Sequence, residues 1–293
     1  MSFLSKLIFW KSDSPRVSVL RLSGVIASGG GPLRKNLNYE ALEQVIKKAF
    51  SDKKQDAVIL CINSPGGSPV QSALIGKRIR QLADKNNTPV IAFCEDVAAS
   101  GGYWLACCAD EIYADEASII GSIGVISAGF GFAEAITKLG IERRVYTSGE
   151  TKSMLDPFLN ESPKDVKRLK ALQTEIHEHF IAHVKSRRGK KLNEEEPLFT
   201  GTFWTGARAK QLGLVDGIGA MHSVLNERYG EKLKLRQITQ KKGLFSLSGS
   251  SASLGVAISQ ELKNEIEHRL LGQGLGLRLF KKFKNCWQMS IFF

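Results

Sequence analysis

Only five cysteines occur in 293 residues, at positions 61, 94, 107, 108 and 286. The number is odd and most lie inside apolar stretches, which excludes a disulfide framework and predicts buried free thiols of a reducing compartment. None has metal-ligand spacing, so no metal is expected. Histidine is equally scarce, at 177, 179, 183, 222 and 268. His177-Glu178 lacks the second histidine of a zincin motif, which excludes that kind of metal hydrolysis. The loop containing Gly29-Gly30-Gly31 lacks the Gly-Lys-Ser/Thr ending of a P-loop. No internal repeat is present.

Long hydrophobic runs are also missing. Two uncharged runs, 117–133 and 243–260, barely reach membrane-spanning length. The first, rich in Gly and Ser, reads as core packed against a sheet. The second carries six serines, too polar for a span. The first ten residues are apolar but short and interrupted by Lys6, so no secretory signal is expected and the location is read as cytoplasmic. Acidic residues are the minority charge, 29 against 41 Lys and Arg, a net +12. Residues 231–293 hold eleven Lys or Arg and four Glu, so +7 of that excess lies there. No zinc-finger or RNA-binding signature accompanies it, so nucleic acid is not an expected partner. A basic, partly apolar tail suits peripheral contact with an anionic membrane on its inner face; a merely solvated tail is the other reading.

What is present reads as a globular α/β chain. Residues 16–22 alternate as a first strand, and Leu42, Val45, Ile46, Ala49 and Phe50 form one helix stripe. Residues 57–62 are a continuous apolar strand of the kind covered on both faces. A helix over 70–83 and a β run at 90–94 follow, giving strand, helix, strand, helix, strand with short connections: right-handed βαβ units. Short strands are expected at 112–114 and 143–147, a long charged helix over 161–188, and helices over 205–212 and 221–229. The organisation predicted is an N-terminal stub (1–15), a main domain (16–242), a Ser/Gly linker (243–255) and a basic amphipathic tail (256–293).

The stretch that carries chemistry runs from Cys94 to Val125. A β run ends there in small residues, Ala98, Ala99, Gly101 and Gly102, around one hydroxyl, Ser100. A serine at a strand-to-helix corner is open to a close substrate backbone and sits where helical N–H groups favour negative charge. The competing reading is a helix N-cap in a tight turn. A nucleophilic serine also needs a base and oxyanion donors. The amide of Gly101 and one from the Gly66-Gly67 turn are candidate donors. For the base, His177, His179 and His183 lie among Glu175, Glu178 and Lys185, which reads as a solvated face, although a Ser–Asp–His order through Asp156 or Asp165 is formally available. Lys152 is the other candidate; acting as a base requires it to be neutral, which takes burial.

Five motifs occur in order. They are Asn63-Ser64-Pro65-Gly66-Gly67, then Asp96-Val97-Ala98-Ala99-Ser100-Gly101-Gly102-Tyr103, then Gly121-Ser122-Ile123-Gly124-Val125. Ser148-Gly149 with Lys152 and Pro157-Phe158 follows, and last Trp204-Thr205-Gly206-Ala207 with Leu212-Gly213-Leu214-Val215-Asp216. Together, over about residues 16–230, they resemble the signal peptide peptidase A (protease IV) family. The resemblance implies a ClpP/crotonase-like βαβ spiral and a serine endopeptidase acting on short apolar peptides such as released signal peptides. It implies Ser100 as nucleophile and Lys152 as base, with Ser122 supporting the lysine, Gly67 and Gly101 at the oxyanion, and no cofactor. Gly66 competes with Gly67 for that role. Family members usually carry an N-terminal anchor and the longer ones two tandem units; here there is a stub and one unit, so a homo-oligomeric ring is expected to complete the site. The alternatives are a crotonase-type acyl-CoA enzyme, with carboxylates in place of the dyad, and a catalytically silent peptide- or membrane-binding scaffold.

Overall fold

The computed structural model describes residues 14–29, 36–193 and 196–239. The chain divides into two units, 1–240 and 241–293. The expected linker, the basic tail and Cys286 lie outside the described residues, as do residues 1–13 of the stub and the Gly30-Gly31 pair.

β1 (Arg16–Ser23) opens the fold and α1 (Tyr39–Ala49) follows, its first turn capped by Asn38, whose side chain accepts from the Ala41 amide. β2 (Ala57–Ser64) leads to α2 (Pro69–Asn86), with Ser68 at the cap and proline in the first turn, where its missing N–H costs nothing. β3 (Val90–Ala99), α3 (Gly101–Ala106), β4 (Glu111–Ala114) and β5 (Ile119–Gly121) come next. Then follow α4 (Ala133–Lys138), α5 (Pro163–Arg188), β6 (Phe203–Thr205), α6 (Gly206–Gln211), β7 (Gly217–Ile218), α7 (Met221–Tyr229) and β8 (Lys234–Ile238).

The strands order as β6-β5-β3-β2-β1-β8, parallel except for the β5–β6 pair. The apolar continuity of β2 has the expected cause. Val58, Leu60 and Ile62 face the larger core, with Leu20, Leu22 and Ile46, while Ile59 and Cys61 face a smaller one with Val19, Phe93 and Leu225. Cys61, Cys94, Cys107 and Cys108 are buried and free, and burial pushes the Cys61 thiol up to about 11. β3 is where the sheet forks. Its first half, from Ile91 to Cys94, pairs with β4; its second, from Val97 to Ala99, pairs with β5. Between them the β2 register jumps from Ile62↔Cys94 to Ser64↔Ala98, so β3 carries two extra residues at the bend. This fork is the ClpP/crotonase-like βαβ spiral, and it delivers the end of β3 to a corner between two walls.

Two expectations fail. Residues 143–147 form no strand, and the 117–133 run is core only in its first half. Ile120 and Ile123 are fully buried, whereas Ile126 is 87% exposed and Phe130 75%. Charged neighbours such as Glu142, Arg143 and Arg144 remain in water there, and none of the described residues covers Ile126 or Phe130.

Arg188, at the end of α5, is the most buried charge of the described residues. Its guanidinium donates to the Gly213 carbonyl at 2.7 and 3.0 Å and to both oxygens of Asp216 at 2.8 and 3.2 Å. Replacing Arg188 by Met takes those donors from the Gly213 carbonyl and leaves Asp216 with Lys191 and the Ile112 amide; it is expected to lower stability by about 1–3 kcal/mol, read from urea midpoints. Burial pushes the Asp216 pKa up, but hydrogen bonds from Arg188 and Lys191 outweigh it and the net shift is downward. A carboxyl depressed in the folded state stabilises above its unfolded value, about 3.9, and that contribution fades as pH falls through the lower folded value.

Candidate active site

The corner is built by β2 and β3 ending side by side. After Ser64 the chain turns through Gly66 (φ 98°) and Gly67 (φ 137°), conformations that side chains rarely adopt. Space excludes a side chain as well. A Cβ on Gly66 would lie 2.6 Å from the Gly101 nitrogen, and one on Gly67 2.1 Å from the Ile26 carbonyl oxygen. Ile26, which precedes the Gly29-Gly30-Gly31 stretch, is fully buried and pins this turn: its N–H donates to Gly66 O at 2.8 Å and its carbonyl accepts from Ser68 N at 2.7 Å.

Ser100 stands at φ 51°, ψ −123°, a region of roughly 1–3 kcal/mol cost for a residue other than glycine. Its N–H donates to Gly121 O at 2.8 Å and its carbonyl accepts from Trp104 N at 3.0 Å, so the turn is held from both sides. It occupies the N-cap position of α3, yet its side chain makes no capping hydrogen bond. Capping therefore does not account for the hydroxyl. A strained strand-to-helix corner with a free hydroxyl is the geometry of a nucleophile elbow.

The surrounding amides differ in whether they are engaged. The Gly66 N–H donates to Ser64 Oγ at 3.1 Å. The Gly67 and Gly101 N–H groups have no acceptor among the described residues. Ser100 opens on a crevice of about 20 Å³, room for about one water. Gly67 and Pro69 flank one side, Gly124 and Val125 another, and Trp104, Ile176 and Phe180 complete it. Ser122 (φ 53°) follows the residue that holds the Ser100 amide, and its own N–H donates to Thr202 O at 2.8 Å.

Lys152 is not brought to this crevice by its own chain. It lies in an exposed turn whose backbone N–H donates to Gly149 O, and its ammonium has no hydrogen bond or ion pair among the described residues. The segment around it is tied by Phe132 N–H to Pro157 O at 2.6 Å and by an Arg143–Asp156 ion pair at 3.0 Å.

The histidines correct the expectation of a solvated face. His183 stacks on Trp104, ring centroids 4.6 Å apart, with Nε2 3.1 Å from the Trp104 carbonyl. Burial lowers its pKa; the Trp104 carbonyl opposes that and Arg187 adds to it. His177 Nε2 lies 3.0 Å from Ile123 O, and only His179 of the three is exposed. The inward stripe of α5 is Ile176, Phe180 and Val184, and His177 and His183 border it. Phe180 and Val184 four apart were the available signal, masked by the charges on either side of them, Glu175, Glu178, Lys185 and Arg187.

A model of peptidase family S49 matches residues 83–235, just over half the chain. The chain belongs to peptidase family S49. It is 31% identical to a putative signal peptide peptidase SppA of Enterococcus faecium, over 75% of this chain and 65% of that one. It is 32% identical to a putative protease of Synechocystis, over 72% of each. It is also 54% identical, over 80% of its length, to a Na(+)/H(+) antiporter NhaA of Brucella abortus, of which the match covers 32%. The S49 chain thus spans about a third of the Brucella relative and two thirds of the Enterococcus one. Among the described residues of this S49 chain no helix is long and apolar enough to cross a membrane.

Proposed function

We propose that this chain is a serine endopeptidase acting on short, apolar peptides such as released signal peptides, through Ser100 and Lys152. The observation that carries the reading is a strained, uncapped Ser100 beside two unengaged amides. Ser100 Oγ attacks the scissile carbonyl and its proton passes to Lys152 Nζ. The negative oxygen of the tetrahedral intermediate accepts from the Gly67 and Gly101 N–H groups. Gly67 is preferred to Gly66 because the Gly66 amide is already committed to Ser64. Collapse breaks the C–N bond, Lys152 returns the proton to the leaving amine, and water then hydrolyses the acyl-enzyme. The walls offered by Trp104, Val125, Ile176 and Phe180 suit an apolar chain. None of the residues lining the crevice is a carboxylate, which favours this reading over acyl-CoA chemistry.

Lys152 is exposed in its own chain, so the burial that a neutral lysine needs has to come from elsewhere. We assign it to a neighbouring subunit of a ring. The apolar side chains exposed near Lys152 in the same segment, Ile126, Phe130, Leu139, Ile141 and Tyr146, supply the surface for that association. A fluorophosphonate probe should label the native protein and leave the Ser100→Ala variant unlabelled; equal labelling of both removes Ser100 as nucleophile.

We further infer that the enzyme works in the cytoplasm, peripheral on the inner membrane face, through Arg278, Lys281, Lys282 and Lys284 with Phe280 and Phe283. Full-length chain is expected to co-sediment with anionic liposomes and to be released by salt, while a chain ending at residue 242 stays in solution. Equal sedimentation of the two refutes the membrane role of the tail.

A further inference from the structure

We propose that His177 is a positioning residue that ties the two walls of the Ser100 crevice together; this rests on the reading of Ser100 as nucleophile. α5 is anchored at its far end by Phe180, Val184 and Arg188, which are buried, while its first three turns stand largely in water. Among the described residues, His177 makes the most N-terminal hydrogen bond from α5 to the rest of the molecule. That bond ends on Ile123 O. A carbonyl only accepts, so Nε2 carries the proton, whether the ring is neutral or charged.

The two ends of this bond belong to different elements of the crevice lining. Ile176 beside His177, and Phe180 one turn on, line it from α5; Gly124 and Val125, directly after Ile123, line it from the β5 side. Backbone bonds fix the Ile123 end: Gly124 N–H donates to Ser122 O at 3.0 Å and Gly201 N–H to Ile123 O at 3.1 Å. The His177 bond therefore sets how far Ile176 stands from Val125, and so how closely the crevice grips an apolar chain. Because Gly201 still serves the Ile123 carbonyl when the imidazole is gone, no buried acceptor is orphaned. The effect falls on substrate binding, not on folding.

Steady-state kinetics on an apolar fluorogenic peptide test this, using the full chain. His177→Leu and His177→Ala are expected to raise KM about three- to tenfold, the range of one lost hydrogen bond, with kcat changed less than twofold. His177→Gln, whose amide N–H reaches the same carbonyl, is expected to restore KM. Labelling by a small fluorophosphonate, which does not need the gripped chain, should match the native rate in all three. Unchanged KM in both Leu and Ala variants overturns the proposal, as does a Gln variant no better than Leu. A hundredfold fall in kcat with KM unchanged overturns it too, by making His177 a participant in proton transfer. Absence of labelling in the native protein sinks the Ser100 reading instead.

Discussion

Ser100→Ala and Lys152→Ala are each expected to lower peptide turnover by about a thousandfold or more, and the double variant to be scarcely worse. The two groups act in one proton transfer, so losing either removes the whole step, and the losses do not add. The residual rate is what binding and the Gly67 and Gly101 amides still supply. Folding should survive both changes. Lys152 is exposed with its ammonium unpartnered among the described residues, and Ser100 caps nothing, so removing its Oγ orphans no helix N–H. Multiplicative losses in the double variant, or near-native turnover in either single one, would contradict the dyad.

The second large effect is expected from the exposed segment. Ile126 and Tyr146 are 87% and 91% exposed, on a stretch that none of the described residues covers. If a neighbouring copy covers them, each contributes about 2 kcal/mol to association, and a carboxylate put in its place must also be desolvated. Ile126→Glu combined with Tyr146→Glu should thus weaken assembly by roughly a thousandfold or more. Light scattering should report monomers at concentrations where the native chain assembles, and peptidase activity should fall with the assembly. Unlike most core variants, this one should be no less stable as a monomer, because neither side chain is packed. A monomeric double variant with full activity would remove the ring from the mechanism.

How far the sequence revealed this site depended on where the responsible interactions lie. Strands and helices whose apolar pattern is set by one sheet were legible: β2 is apolar throughout because α1 and α2 cover one face and α7 the other. The Gly66-Gly67 turn and Ser100 were legible because only small residues fit where two strand ends and a helix start converge. The fork of β3 was not, since it arises from two extra residues paired to different partners, which no local pattern records. Nor were His177 and His183 legible as inward groups, because α5 is strongly charged and buries only a narrow line through Phe180 and Val184. The segment around Lys152 misled for another reason. Residues 143–147, with Val145, Tyr146 and Thr147, suggested a strand, but they pair with none of the described strands.

Mixing inactive subunits tests the central claim most directly. Ser100→Ala protein and Lys152→Ala protein, each inactive alone, are combined under conditions that allow exchange, and peptide turnover is followed with time. A dyad that crosses the subunit boundary regains Ser100 from one variant and Lys152 from the other at a fraction of junctions, about a quarter for random mixing of equal amounts into a ring. Turnover should therefore rise to about that share of native activity. If exchange is verified by labelled subunits and turnover stays at the level of the separate variants, Lys152 does not serve a neighbour's Ser100, and a dyad shared between subunits is ruled out.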